Sequence, residues 1–255
     1  MRHLIFSLAA SVALTFPAAG RGQDHAAHTK PLSAASEPDG SVHPIDCPLH
    51  KAGVDPMGMR PFAETEKWIE YLDKPERAVW QKPEEVVRAL ALTGTETVAD
   101  VGAGSGYFTF RISRALPKGK VYATDVDPEM VRHIHRNVMT GHVSNVEVAL
   151  AHSNDPGIPP GTDVAFVCDV IHHVADRDAW LKKGYDEIRP GGKFVVIEFK
   201  EGKLPQGPPE SMKIPKTKLI GMIEAAGFKL TSDVPNLLPY QTFLTFEKPA
   251  RTGGP

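Results

Sequence analysis

The stretch VADVGAGSGYFTF, Val98–Phe110, decides how the rest of the chain is read. It opens inside the short apolar run Thr97–Val101, which has the length and composition of a buried strand. Three alternate glycines follow, Gly102, Gly104 and Gly106, and then a run with helical spacing from Tyr107 to Ala115. A strand that turns through glycines into a helix is the first unit of a doubly wound sheet, and ligands bind such sheets beyond the carboxyl ends of the strands. Glycine is needed in that turn because a side chain would block the approach of a ligand and because the turn calls for positive φ.

Outward from this unit the chain alternates strand-like and helix-like runs. Strands are expected at Thr97–Val101, Lys120–Thr124, Val146–Leu150, Asp163–Cys168, Lys193–Phe199, Lys229–Asp233 and Gln241–Phe246. Helices are expected between them at Pro128–Val138, Arg177–Ile188 and Lys216–Ala226. The last two strands are joined by a short Pro-containing connection, too short for a parallel crossover, so they pair antiparallel. The fold class is α/β: Rossmann-like and doubly wound, a mostly parallel seven-stranded sheet with a final antiparallel pair and helices on both faces.

Asp125 ends the second strand, roughly 20 residues beyond the glycine loop, where a carboxylate can take hydrogen bonds from ribose hydroxyls. Asp100 lies two residues before the first glycine. A carboxylate there would repel the pyrophosphate of a dinucleotide, whereas S-adenosylmethionine carries an ammonium and a sulfonium, so the charge pattern favours the latter. An NAD-type oxidoreductase stays as an alternative, disfavoured by Asp100 and by glycine spacing that departs from Gly-x-Gly-x-x-Gly.

Val98–Thr109 resembles motif I of class I S-adenosylmethionine-dependent methyltransferases, and ATDVDPEM, Ala123–Met130, resembles their ribose-binding segment. CDVIHHV, Cys168–Val174, looks like the family's fourth-strand motif, and RPGGKFVVIEF, Arg189–Phe199, like its following turn and fifth strand. The likeness runs from Trp80 to Phe246. It implies that Asp100, Gly102, Ala103, Gly104 and Gly106 hold the methionine end of the cofactor and that Asp125, with Val126 beside it, holds the ribose. It also implies that Asp169 lines the wall near the reactive methyl. Relatives commonly place an acid after the third strand to meet the adenine amino group; here the segment reads LAHSND, Leu150–Asp155, and the adenine contact is left to Asp155 or a backbone carbonyl.

On the substrate side, His172 and His173 follow the fourth strand and are the candidate bases, His172 the preferred one. His133, His135 and His142 fall on or after the second helix and are read as surface residues. The Pro/Gly-rich segment Glu201–Ile214 after the fifth strand has the length of a lid. Together with an amphipathic helix around Trp68 it is expected to close the pocket; a second helix from Pro83 to Leu92 is read as core or lid packing, and Trp80 and Gln81, between the two helices, as flanking the pocket.

A net charge of -2 with no Lys/Arg-dense window gives no reason to expect nucleic acid. The two cysteines exclude a multi-Cys metal site and weigh against a thiol-based arsenic methylase. Cys168 is read as a buried thiol and Cys47 as an unrelated exposed one. His43, Asp46, Cys47 and His50 are ligand types at close spacing, but two prolines interrupt them and no metal site is expected. The expected organisation is a signal peptide over residues 1–22, an arm over 23–60, cap helices over 61–95, a cofactor-binding domain over 96–248 and a tail over 249–255. The signal reading rests on basic Arg2, the apolar run Leu4–Phe16 and the small residues after Pro17. It implies export, with an uncleaved membrane anchor as the alternative, and no other segment is apolar enough to cross a bilayer. The expected activity is methylation of a small organic molecule, with a non-catalytic cofactor-binding protein as the alternative from another class; the sequence does not set the oligomeric state.

Overall fold

The computed structural model describes residues 62–250. The expected signal segment, the arm with His43, Asp46, Cys47 and His50, and the end of the tail lie outside the described residues.

Three helices lead in: α1 (Phe62–Leu72), α2 (Arg77–Gln81) and α3 (Pro83–Ala89). Trp80 and Gln81 therefore sit on a short helix of their own rather than in a connection. Lys82, at φ 44° and ψ 57°, makes the joint between α2 and α3, and Pro83 occupies the first turn of α3, where its missing N–H is no loss. Seven strands follow, β1 (Thr97–Val101), β2 (Lys120–Asp125), β3 (Val146–Leu150), β4 (Thr162–Cys168), β5 (Ile188–Phe199), β6 (Lys229–Asp233) and β7 (Gln241–Glu247). They alternate with α4 (Thr109–Arg114), α5 (Pro128–Thr140), α6 (Arg177–Glu187) and α7 (Lys216–Ala225). The helix after the glycine loop begins at Thr109 rather than Tyr107. Gly102, Gly104 and Gly106 hold φ values of 67°, 57° and 84°, which keep the loop out of helical geometry.

The sheet order is β3-β2-β1-β4-β5-β7-β6, parallel from β3 to β5, with β7 antiparallel to both neighbours. The central strands are buried on both faces, as parallel strands covered by helices must be. Val98, Phe166, Val195, Ile197 and Phe243 face a core shared with α3, α4 and α5 residues such as Val86, Ile112 and Ile134. Their neighbours Ala99, Ala165, Val167, Val196 and Leu244 face the other core, with Leu181 of α6 and Leu219 and Ile223 of α7. The side-chain period of two thus feeds two hydrophobic layers from one set of strands. Asp127 and Asp176 cap α5 and α6, accepting from the backbone N–H groups of Glu129 and Ala179.

Strand order reverses between β1 and β4, and the crevice beyond the carboxyl ends of those strands is where doubly wound sheets bind ligands. Because β7 runs antiparallel, its first residue lies at this same edge, with Gln241 opposite Phe199. No helix among the described residues is long and apolar enough to cross a membrane.

Candidate active site

The glycine loop is built against the loop after β4. A Cβ added to Gly102 would lie 2.4 Å from Val170 Cγ2, and one added to Gly106 would lie 2.8 Å from Phe110, so these two glycines serve packing. Gly104 differs: an added Cβ would meet only Leu72 Cδ1, at 3.2 Å. Its face turns toward the cap helix rather than into the core. Its N–H donates to Asp125 Oδ2 at 2.7 Å, while Asp125 Oδ1 accepts from the Asp127 N–H at 2.9 Å. The acid at the end of β2 is thereby fixed against the loop at the end of β1. Val126 beside it is exposed.

Asp100 is 3% exposed and accepts from Thr109 Oγ at 2.5 Å. Burial pushes its carboxyl up from the usual 3.8 to about 6; the Thr109 hydroxyl pulls it down, the charge of Asp125 raises it and that of Arg77 lowers it. Asp169 stands just past β4 in the left-handed region, at φ 60°, and Gln241 Nε2 donates to both its oxygens, at 2.7 and 2.8 Å. Desolvation pushes its carboxyl upward too, as does Glu198, against His172, Arg77 and Gln241.

His172 lies in a single helical turn, Ile171–His173, and is 4% exposed. Its Nδ1 is 2.6 Å from Glu198 Oε2, and its backbone N–H donates to Glu198 Oε1 at 3.2 Å. An ionised carboxylate accepts only, so Nδ1 carries the proton and Nε2 is left as the basic atom. Burial alone would depress the imidazole's affinity for a proton; the charge and hydrogen bond of Glu198, helped by Asp169, outweigh it and raise the pKa above 6.5. His173 is less buried, its ring centroid 4.1 Å from that of His172.

Beyond the end of β5, a cavity of about 220 Å³ is lined by Phe199, Lys200, Glu201, Ile214, Lys216, Pro235 and Thr242. Trp80 packs between Phe199 and Tyr240, at 5.8 and 6.0 Å between centroids. A larger concavity of about 490 Å³ lies over α5 and β3 and carries none of the acids grouped at the carboxyl edge. Asp155 does not turn toward the crevice: Oδ1 accepts from the Gly157 N–H at 2.9 Å and Oδ2 lies 3.6 Å from Lys183 of α6. Cys168 is half-buried rather than enclosed, its Sγ accepting from Gln81 Nε2 at 3.2 Å.

With this geometry in view, the comparisons are specific. The family model described as a methyltransferase domain matches residues 99–194. The ubiquinone/menaquinone biosynthesis C-methyltransferase UbiE of Escherichia coli is 32% identical over 109 residues, 41% of this chain and 43% of that protein. The match thus spans less than half of the curated relative's length. The crystal structure of a SAM dependent methyltransferase from Aquifex aeolicus superposes with a TM-score of 0.67 at 27% identity, covering 72% of this chain and 98% of that one. Residues 99–194 thus carry a methyltransferase domain, set in a fold shared with S-adenosylmethionine-dependent methyltransferases. Human N-acetylserotonin methyltransferase, solved in complex with SAM, shares the fold at 20% identity and a TM-score of 0.61, covering 79% of this chain and 62% of that one.

The residues at this edge fit S-adenosylmethionine, the cofactor of that domain, on their own chemistry. Asp100, Asp125, Asp169 and Glu198 converge on one edge, with Arg77 and His172 the cations felt by the buried acids. That excess of negative charge suits an ammonium and a sulfonium and opposes a pyrophosphate. Several site residues were not anticipated. Glu198 sits inside the apolar run FVVIEF, where a buried acid is itself a signal. Arg77, Gln241, Thr109 and the contact from Ser105 Oγ to Asp73, at 2.6 Å, depend on long-range geometry.

Proposed function

We propose that the protein transfers a methyl group from S-adenosylmethionine to a small organic acceptor and that His172 is the base. The buried His172–Glu198 pair, set beside Asp169 at the carboxyl edge of the sheet, carries this reading. Asp100 and the Gly102–Gly106 loop, including Ala103, would hold the methionine end. Asp125, with Val126 at the rim, would hold the ribose, and Asp169 would flank the methyl. S-adenosylmethionine, when bound, supplies an electrophilic methyl on a sulfonium.

The protein's part is alignment, exclusion of water and removal of the acceptor's proton. Glu198 holds His172 by one contact to the ring Nδ1 and one to the backbone N–H, so that Nε2 takes the proton and Glu198 stabilises the resulting imidazolium. Since His172 is almost fully buried, an acceptor reaches it only from inside a closed pocket. The Glu201–Ile214 loop supplies a cover. Gly207 lies on the Phe199 ring, where an added Cβ would come within 2.5 Å, and Glu210 ties the loop together through the Gly202 N–H, at 2.9 Å, and Lys213, at 3.0 Å.

Replacing His172→Ala is expected to lower turnover about a hundredfold, the scale of a general base, while affinity for S-adenosylhomocysteine is retained. Turnover is read as S-adenosylhomocysteine formed in the presence of a cell-extract fraction that supplies the acceptor. Undiminished turnover would remove His172 from the chemistry.

A further inference from the structure

Gln81 and Gln241 are both fully buried and 160 residues apart, yet they meet. A buried amide is costly unless hydrogen-bonded, and positions that needed only filling would take Leu or Met at lower cost. Their bonds form one directed chain. Arg77 Nε donates to Gln81 Oε1 at 2.9 Å, Gln81 Nε2 donates to Gln241 Oε1 at 3.0 Å, and Gln241 Nε2 donates to both oxygens of Asp169. A guanidinium only donates and a carboxylate only accepts, so the two ends fix the flip state of both amides between them; turning either one would set like groups against each other.

Each end is anchored in a part of the molecule with its own task. Arg77 begins α2, donates through Nη1 to the Leu72 carbonyl at 2.8 Å and stacks 4.1 Å from the Tyr107 ring centroid, so it joins the cap helices to the residue after the glycine loop. Asp169 is a non-glycine residue in the left-handed region, a conformation that persists where surrounding structure imposes it. Around its carboxylate stand Glu198 of β5, His172 of the turn after β4, Cys168 of β4 and Arg77 of α2, while Asp100 at the end of β1 acts on the neighbouring Cys168. Against the repulsion of Glu198, the Gln241 amide is the donor that engages both oxygens of that carboxylate, with the Cys168 thiol a weaker contact to Oδ2 at 3.7 Å.

We propose that Gln241, locked by Gln81 and Arg77, is a positioning residue that aims the Asp169 carboxylate, so that seating of α2 and readiness of Asp169 for the cationic end of the cofactor are one event. This rests on the reading of the edge as an S-adenosylmethionine site. Gln81 and Gln241 act through Asp169 and need touch neither cofactor nor acceptor.

The test is Gln241→Glu, which keeps shape but sets an acceptor against an acceptor. Calorimetry with S-adenosylhomocysteine is expected to show affinity at least about tenfold below the unaltered protein near pH 8, the scale of one buried opposed pair. Near pH 5.5, where one proton shared between the two carboxyls restores the bond, the ratio is expected to close to within about threefold. A loss that is the same at both pH values, or no loss, overturns the proposal. Gln81→Met, which leaves Gln241 free to turn, should lower affinity at both pH values and raise hydrogen exchange in residues 65–81; unchanged affinity and exchange also overturn it. If the unaltered protein binds no S-adenosylhomocysteine, the cofactor reading falls, and the positioning claim is decided by melting of the ligand-free proteins. Gln241→Glu should then melt lower near pH 8 and recover near pH 5.5, and a pH-independent gap would refute it.

Discussion

Asp100 is destabilising in the ligand-free protein, and the size of the effect follows from its surroundings. It is 3% exposed, and burial moves its carboxyl from the usual 3.8 to about 6. The folded chain therefore holds that proton more tightly than the unfolded chain. Stability from this group is complete below 3.8 and is lost as pH rises through about 6. A displacement of about two on the pH scale, at 1.36 kcal/mol each, is about 3 kcal/mol. Asp100→Asn removes the charge and keeps an oxygen for Thr109 Oγ, so it stands in for the protonated carboxyl, and the Thr109 bond is already contained in that displacement.

The ligand-free Asp100→Asn protein is thus expected to be more stable than its parent by about 3 kcal/mol near pH 7.5, or about 6–12 °C in melting temperature for a domain of this size. Near pH 4 the parent's carboxyl is largely protonated and the gap should close. Equilibrium urea unfolding at the two pH values measures this directly, with linear extrapolation for both proteins. Calorimetry should show the stabilised variant at least about tenfold weaker for S-adenosylmethionine, since the buried charge has been exchanged for stability. A variant less stable than its parent near pH 7.5, or one that binds the cofactor unchanged, would refute the assignment of Asp100 as a buried charge held for a cation.

Two further outcomes are expected. Gly104→Ala should fold at a cost of about 1–2 kcal/mol for a left-handed alanine, with Leu72 Cδ1 giving way from 3.2 Å, and should lose S-adenosylhomocysteine affinity in calorimetry out of proportion to its lowered melting temperature; retained affinity would mean that no ligand approaches this face. Glu198→Gln removes the charge that raises His172, so burial then dominates: the parent's turnover should fall as pH drops through a value above 6.5, and the variant's acid limb should lie at lower pH. Coincident limbs in the two pH–rate profiles would exclude His172 as the titrating base.

Much of the fold was readable because each local signal agreed with its neighbours. Apolar runs of strand length, helices between them and a short final connection determine a doubly wound sheet with an antiparallel end, and that is the sheet found. Asp100, the glycines and Asp125 were readable because they are local in sequence and fixed by strand ends. Glu198 was passed over because FVVIEF is otherwise a clean buried strand. The clue lay in comparison along the chain: TVADV, ATDVD, VCDV and VIEF each carry an acid near the carboxyl end of a parallel strand. Gln81 and Gln241 gave no such clue. A lone polar residue at the end of a helix or start of a strand is ordinary, and only the antiparallel turn of β7 brings Gln241 to the same edge as Asp169.

Four strands thus deliver four acids to one edge, against the rule that fills strand interiors with apolar side chains. Exceptions of this kind concentrate at functional sites, and stability lost there is made up elsewhere. Here the two apolar layers on either side of the sheet, with Phe166, Phe194, Phe243 and Phe246 fully enclosed, provide that reserve. The acids are also not equivalent. Asp125 is held by backbone N–H groups, Asp100 by one hydroxyl, Asp169 by a neutral amide backed by Arg77, and Glu198 by an imidazole. Only the last has a partner able to exchange a proton near neutral pH. On the proposed function, the same edge therefore divides by the identity of each acid's partner into a part that binds charge and a part that moves a proton, and the Glu201–Ile214 loop packs through Gly207 on Phe199, the neighbour of Glu198.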